Sequence, residues 1–511
     1  MTTSTDNLIR FLDHWQPQRI VVVGDFMLDR YVYGNAERLS PDAPVPVLTA
    51  VRIEDSPGGA ANVCRDLVAL RCNVDCLGLI GRDEPGRKLK TQLRDAGCNV
   101  AGLIATAHRP TTVKQSLVGL AQHRHPQKMF RLDTEQNQPL TPDVEQRLLD
   151  RARKVLPAAA VLCLEDYNKG VLTASLCQKL IALAKRHNVP VIVDPAAIDD
   201  YAKYSGATCI TPNRFEAWLA TGQRGNHGEL AHIKHMAAQL KRKLKLEAAV
   251  ITADKTGLVL LENRKPAVVV PGRARSVYDV SGAGDMTLAM LAAARANSAD
   301  WPTAAALANI AAGLEVEQAG VVPIPLGDIL LTLLRQKHEK LGKLRTLDEL
   351  LPEIEAYRAK GNRIVFTNGC FDMLHAGHVQ LFRQARAAGD LLIVAINSDP
   401  SIRRIKGPSR PVNTQKDRVL LLSELESIDY VIVFDADTPT ELLRAIKPDI
   451  LAKGGEYSKR QVVGANLVER YGGEVMLIKP VKGRSTTHLI QRIADNHTQP
   501  AKPRGRGYVT D

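Results

Sequence analysis

The chain has 511 residues, 45% hydrophobic and 24% charged, with a formal net charge of +13. That length exceeds one ordinary core and implies about two to four domains of soluble globular type. The longest apolar runs, such as 391–396, have only strand length, which excludes a membrane-spanning helix. The start lacks the basic-then-apolar layout of a secretory signal, so a cytoplasmic location is expected.

The positive balance admits nucleic acid as a partner. Against that, lysine and arginine are spread along the chain and aromatic residues are only 4%, so small anionic substrates account for the excess equally well. Neither a nucleic-acid nor a membrane partner is expected. The one concentrated basic stretch lies in the Gly/Pro-containing tail, 496–511, which is expected to be disordered. The eight cysteines are scattered, several in apolar segments, and read as reduced core residues. Cys72 and Cys76 have the proximity of a metal pair but no second pair follows. His227, His232 and His235, flanked by lysines, read as a solvated helix face.

In chain order, apolar strands are predicted at 19–24, 161–165, 191–194 and 209–211, with helical spacing between them and a helix starting at 59–67. Strands that end in polar residues and alternate with helices predict a mainly parallel sheet with ligands at the strand C-termini. Residues 32–53, proline-studded and partly alternating, predict a small antiparallel flap. The rhythm stops near 321–325, a lysine-rich helical stretch covers 330–343, and Thr346 is a candidate helix cap. A second alternating unit follows, with strands at 363–366, 391–396, 430–434, 450–452 and 475–478. The expected organisation is therefore a domain over 1–322, a linker over 323–345, a second domain over 346–495, and the tail.

Two motifs carry chemistry. Asp279-Val280-Ser281-Gly282-Ala283-Gly284-Asp285 is a glycine-rich turn followed by helical periodicity. Its bare N–H groups and the helix dipole suit a phosphate. Asp285 stands where a carboxylate can take a proton from an attacking hydroxyl while Gly282, Ala283 and Gly284 hold the transferring group. Taken alone, such a turn is equally a tight bend. Further on, Thr367-Asn368-Gly369-Cys370-Phe371-Asp372-Met373-Leu374-His375-Ala376-Gly377-His378 places a His-x-Gly-His element after an apolar strand. Two separate ATP-type sites predict a bifunctional enzyme.

Residues 15–320 resemble the ribokinase-type (PfkB) sugar kinases, which implies an αβα sandwich with a small β flap. The resemblance implies Asp285 as general base and Gly282–Gly284 as anion hole. Asn213 and Glu216 match an Asn-x-x-Glu element, with Glu216 organising Mg²⁺ and its waters; read by themselves they are a helix cap and a surface acid. Asp29, Gly58, Gly59 and Asn62 match the sugar-binding positions. Residues 24–31 and 38–47 are similar to the heptose-phosphate kinases within that superfamily. For a sugar already phosphorylated at its far end, Arg30, Arg131 and Lys169 are candidate phosphate contacts, and Asp166 a further hydroxyl ligand. The chain departs from the pattern at Ala196 and Ala197, where Lys-Gly is usual, at Met286, where threonine is common, and in the loop 252–257.

Residues 346–495 resemble the cytidylyltransferase-type nucleotidyltransferases, which implies a Rossmann-like α/β domain. His375 and His378, three apart on an opening helix turn, share a face and suit the α-phosphate transition state. Gly377 lets the nucleotide approach the backbone, and Thr367, Asn368, Gly369 and Phe371 belong to the same loop. Ser485, Thr486 and Thr487 resemble the Ser/Thr-rich helix start that caps the triphosphate. Lys406, Arg410 and Arg418 resemble its basic clamp.

The two resemblances in this order are those of the bifunctional enzymes of ADP-heptose synthesis. That implies phosphorylation of D-glycero-β-D-manno-heptose 7-phosphate at C1 with ATP and Mg²⁺. After a separate phosphatase has removed the 7-phosphate, AMP is transferred from ATP to heptose 1-phosphate for the lipopolysaccharide core. A homodimer formed through the flap is also expected. The alternatives are a polyol kinase fused to a cytidylyltransferase for another polyol phosphate, and a basic nucleic-acid-binding protein on relic folds.

Overall fold

The computed structural model describes residues 4–121, 124–223, 229–272, 282–318, 320–338, 342–455 and 458–479. The chain divides into two compact units, Met1–Leu333 and Leu334–Asp511.

The first unit is built on a nine-stranded sheet. Its spatial order is Val268–Pro271, Gly257–Glu262, Ala248–Thr252, Cys209–Ile210, Val191–Asp194, Val161–Glu165, Arg19–Gly24, Asn73–Gly81 and Leu103–Thr106. Seven neighbouring strands are parallel, and the first two form an antiparallel edge. Continuous apolar strands need cover on both faces, and alternate residues supply it. Ile20 and Val22 pack into one core, with the helices Ala60–Ala69, Ala283–Ala296 and Trp301–Glu315. Val21 and Val23 pack into the other, with Ala174–Arg186 and Leu230–Leu244. The result is the expected αβα sandwich. From Arg19–Gly24 the chain builds to one side through Asn73–Gly81 and later returns to the other side at Val161–Glu165. That reversal opens a crevice at the strand C-termini.

The flap is larger than expected. Phe26–Leu39 and Pro46–Gly59 pair antiparallel along their whole length, and a second hairpin, Thr112–Ala121 with Arg124–Thr134, extends the sheet to four strands. The mixed polar and apolar sequence at 112–121 shows little strand alternation, because much of this sheet has no core behind it. Leu39, Val51, Ile53, Phe130 and Leu132 are each more than half exposed there.

In the second unit six parallel strands are ordered Leu344–Arg345, Tyr430–Phe434, Leu391–Asn397, Ile364–Gly369, Ile450–Gly454 and Glu474–Ile478. Here the order reverses between Ile364–Gly369 and Ile450–Gly454. The stretch read as a linker is largely structured. Leu326–His338 is a helix whose Leu326, Ile329 and Leu333, at helical spacing, are buried in the first unit's core. Leu344–Arg345 is already an edge strand of the second sheet. Thr346 caps the helix Leu347–Ala359 in a reciprocal box with Glu349. Among the described residues no helix is long and apolar enough to cross a membrane.

Candidate active sites

The crevice of the first unit is a cavity of 410 Å³. Its wall is made of strand ends and helix starts: Glu165, Asp166 and Tyr167, then Asp194, then Thr211 and Asn213, and finally Gly282, Gly284 and Asp285. Residues 279–281 of the glycine-rich motif lie outside the described residues. Gly282 has φ +93°, and a Cβ there would come within 2.3 Å of Glu315 Oε1, so two constraints demand glycine. The turn delivers Asp285 in the first turn of Ala283–Ala296.

Both Asp285 oxygens are held. The Asn62 amide donates to Oδ2 at 2.9 Å and the Tyr167 hydroxyl to Oδ1 at 3.0 Å. Burial pushes this carboxyl up to about 6, against the pull of those two donors. It is therefore ionised at neutral pH yet more basic than an ordinary carboxylate, as a general base requires.

Carboxylate oxygens of Glu165, Asp194 and Asp285 lie within 4.8 Å of one another. Burial, and then repulsion from the surrounding carboxylates, hold Glu165 and Asp194 well above the usual carboxylate range. Glu165 Oε2 is buried without a hydrogen-bond partner. Hard oxygen donors crowded at this spacing suit a hydrated divalent cation. Asn213 Oδ1 accepts the N–H groups of Phe215 and Glu216, and Glu216 returns a carboxylate to the Asn213 N–H at 2.8 Å. Asn213 and Glu216 are thus a helix cap, and they also line the cavity.

On the flap side, Asp29 Oδ1 is buried without a partner. Gly58 is required there, because a Cβ would lie 2.5 Å from Asp29 Oδ2. Gly59, at φ +55°, turns the chain into the helix that carries Asn62. The expected cations are already engaged. Arg30 grips Asp55 with two bonds of 2.7 and 2.8 Å and also faces Glu84. Arg131 is doubly bonded to Asp133, and Lys169 meets Glu135 at 2.7 Å. Asp166 accepts from Lys203, Tyr204 and the Asn168 N–H, which makes it an anchor of the loop around the cavity. Lys169 and Asp166 line the cavity; Arg30 and Arg131 do not.

Several residues of this site carry no motif in the sequence. Asp25, 2% exposed, accepts the N–H groups of Tyr167, Lys169 and Val171 and so fixes the loop after Val161–Glu165. Burial and the charge of Asp166 raise it to about 6. Tyr167, Glu165 and Asp194 were visible only as polar residues at or beyond strand ends. Ala196 and Ala197 line the cavity, and Met286 is fully buried.

In the second unit Thr367, Asn368 and Gly369 end the strand Ile364–Gly369. His375 stands at the cap of the helix Ala376–Ala387, so Gly377 and His378 fall in its first turn. The two histidine rings stack with centroids 3.9 Å apart, and Phe371 meets His378 edge-on at 5.3 Å. Burial, then the charges of His375 and Lys406, lower His378 to about 4. It is therefore a neutral hydrogen-bond donor rather than a cation. Lys453 spans the reversal of strand order, donating to Asn368 O at 2.8 Å and Oδ1 at 3.0 Å. Burial lowers it to about 8.

The expected basic clamp divides. Lys406 is exposed at the last turn of Asp399–Lys406. Arg410 is paired with Asp372 at 2.5 Å. Arg418 is 1% exposed and braces the loop from behind, donating to the Cys370 carbonyl and to Asp399. Ser485, Thr486 and Thr487 lie outside the described residues.

Residues 17–326 match the pfkB family of carbohydrate kinases, and residues 366–492 match the cytidylyltransferase-like family. A ribokinase of Arabidopsis thaliana, solved with ribose and ATP, superposes with a TM-score of 0.50 at 19% identity over 62% of this chain and 99% of that one, a likeness of fold. The bifunctional protein HldE of Syntrophotalea carbinolica is 40% identical over 96% of this chain and 99% of its own. That of Geobacter sulfurreducens is 42% identical over 93% and 95%. With both family matches in this order and such relatives along almost the whole length, the chain belongs to the HldE family of bifunctional proteins, a carbohydrate kinase followed by a nucleotidyltransferase.

Proposed function

We propose that the first unit phosphorylates D-glycero-β-D-manno-heptose 7-phosphate at C1, and that the second joins heptose 1-phosphate to AMP, giving ADP-heptose and pyrophosphate. ATP is the co-substrate of both steps. The observation that carries the first half is Asp285, desolvated at a helix start with both oxygens held. In that half Asp285 takes the proton of the anomeric hydroxyl while the N–H groups of Gly282, Ala283 and Gly284 face the transferring phosphoryl group. Asn62 and Tyr167 keep the base oriented, and Asp29 is placed to accept sugar hydroxyls. Glu165 and Asp194, crowded beside Asp285, fit Mg²⁺, with Glu216 lining the same cavity; when bound, the ion would neutralise charge on the phosphates. In the second half His375 and the neutral His378 donate to the α-phosphate as charge builds, Lys453 holds Asn368 in place, and the sugar phosphate itself attacks.

A phosphatase must act between the two steps, with no stable complex implied. The cytoplasm, where ATP is at hand, is the expected compartment, and the lipopolysaccharide core the destination. The exposed apolar residues of the flap support a homodimer formed there. Mass spectrometry of products from heptose 7-phosphate and ATP, with and without a phosphatase, tests the reading. The expected products are heptose 1,7-bisphosphate alone and ADP-heptose respectively. Faster pyrophosphate release with CTP than with ATP would overturn the second half.

A further inference from the structure

The flap strand Thr112–Ala121 carries a cation that the sites above leave unused. The Lys114 ammonium lies 4.1 Å from the ring centroid of Tyr167, the residue whose hydroxyl donates to Asp285. Its charged neighbours include Asp29 and Asp133, its register partners on the two adjacent strands, together with Asp285, Arg131 and Lys169. Among the described residues no carboxylate is in ion-pair contact with it, whereas Arg131 has Asp133 and Lys169 has Glu135. Burial and the two neighbouring cations weigh against its charge; Asp29, Asp285 and Asp133 support it without closing an ion pair, and Asp133 is already held by Arg131. An ammonium left in that position is relieved by an anion brought from outside. Arg30 offers no such vacancy, since Asp55 occupies its fork and Glu84 its flank.

Resting on the kinase reading above, we propose that Lys114 is the main contact for the phosphate that the sugar substrate already carries, with Arg131 and Lys169 at the rim of that subsite and Arg30 outside it. The lysine then selects phosphorylated over unphosphorylated sugars.

The test is kcat/KM for matched pairs, heptose 7-phosphate with heptose and fructose 6-phosphate with fructose, in the full chain and its variants. In Lys114→Met the preference for the phosphorylated member is expected to fall by about 10- to 10²-fold, the range of a charge-assisted hydrogen bond. Lys114→Arg is expected to recover most of it. ATP affinity reports whether each kinase unit is folded; should Lys114→Met lose it, Lys114→Gln and Lys114→Arg carry the comparison. Equal loss for both members of a pair would place Lys114 in the service of Asp285 and overturn the proposal. So would a loss of preference in Arg30→Met but not in the Lys114 variants. If the wild type turns over no heptose 7-phosphate but the variants still lose preference for the phosphorylated hexose, the heptose reading fails and the phosphate subsite stands.

Discussion

Asp285 is basic because it is buried, and the same burial makes it a burden on the fold. Its value of about 6 lies above the ordinary 3.8, so the folded unit binds this proton more tightly than the unfolded chain does. Ionised Asp285 therefore lowers stability above pH 6, by up to about 3 kcal/mol, and the difference vanishes below about pH 4. Asp285→Asn should cut kinase turnover by about 10²-fold or more while raising the melting temperature of the kinase unit at pH 8 but not at pH 4. Adenylyl transfer from supplied heptose 1-phosphate should persist. Equal loss of both activities would make Asp285 a structural residue. His378 presents the opposite case, held neutral by burial. His378→Ala should lower pyrophosphate release by about 10²–10³-fold with little change in ATP affinity, as one lost transition-state donor would. Joint loss of melting temperature and ATP affinity would instead assign it to packing under the loop.

At the scale of elements, the helix start at Gly282 and the flap make separable demands. A Cβ at Gly282 meets a Glu315 oxygen at 2.3 Å in a backbone conformation unfavourable to side chains. Gly282→Ala should destabilise the kinase unit by about 1–3 kcal/mol and slow phosphoryl transfer with it; wild-type melting and turnover would show that the turn relaxes freely. The flap exposes Phe130 at 63% and Ile53 at 58%. For the homodimer proposed through the flap, replacing both with glutamate should bring the molar mass measured by sedimentation down to that of a monomer and leave pyrophosphate release unchanged. An unchanged mass would remove the flap from any assembly.

For the whole molecule, the helix Leu326–His338 decides where the chain can be divided. Ile329 and Leu333 are fully buried in the first core. Cutting after residue 338 should give two soluble pieces, each retaining its own activity. Cutting at 323 removes four buried side chains, Ile324, Leu326, Ile329 and Leu333, from the kinase core, at about 2–5 kcal/mol for each fully buried one, and should leave that piece insoluble or much less stable. Equal behaviour of the two cuts would show that the helix contributes nothing to the kinase fold.

The features legible in the linear chain are periodic or punctuated. Buried strands such as Arg19–Gly24 announce themselves as apolar runs, Thr346 and Asn213 as caps, Asp285 by its place behind Gly284, and His375 and His378 by their spacing around Gly377. Those features are local, set by backbone sterics and by hydrogen bonds a few residues apart. Which polar groups converge is set by the folded chain. Asn62 and Tyr167 reach Asp285 from 223 and 118 residues away, and Lys453 reaches Asn368 across 85. Nothing near Arg418 in sequence indicates that it is buried against the carbonyl of Cys370. Nor does anything near Arg30 foretell Asp55 in its fork, because the partner arrives on a neighbouring strand whose register is fixed by the whole flap. A lone charge reads the same in sequence whether it is paired or open; its burial and its neighbours settle which, and both are properties of the folded chain.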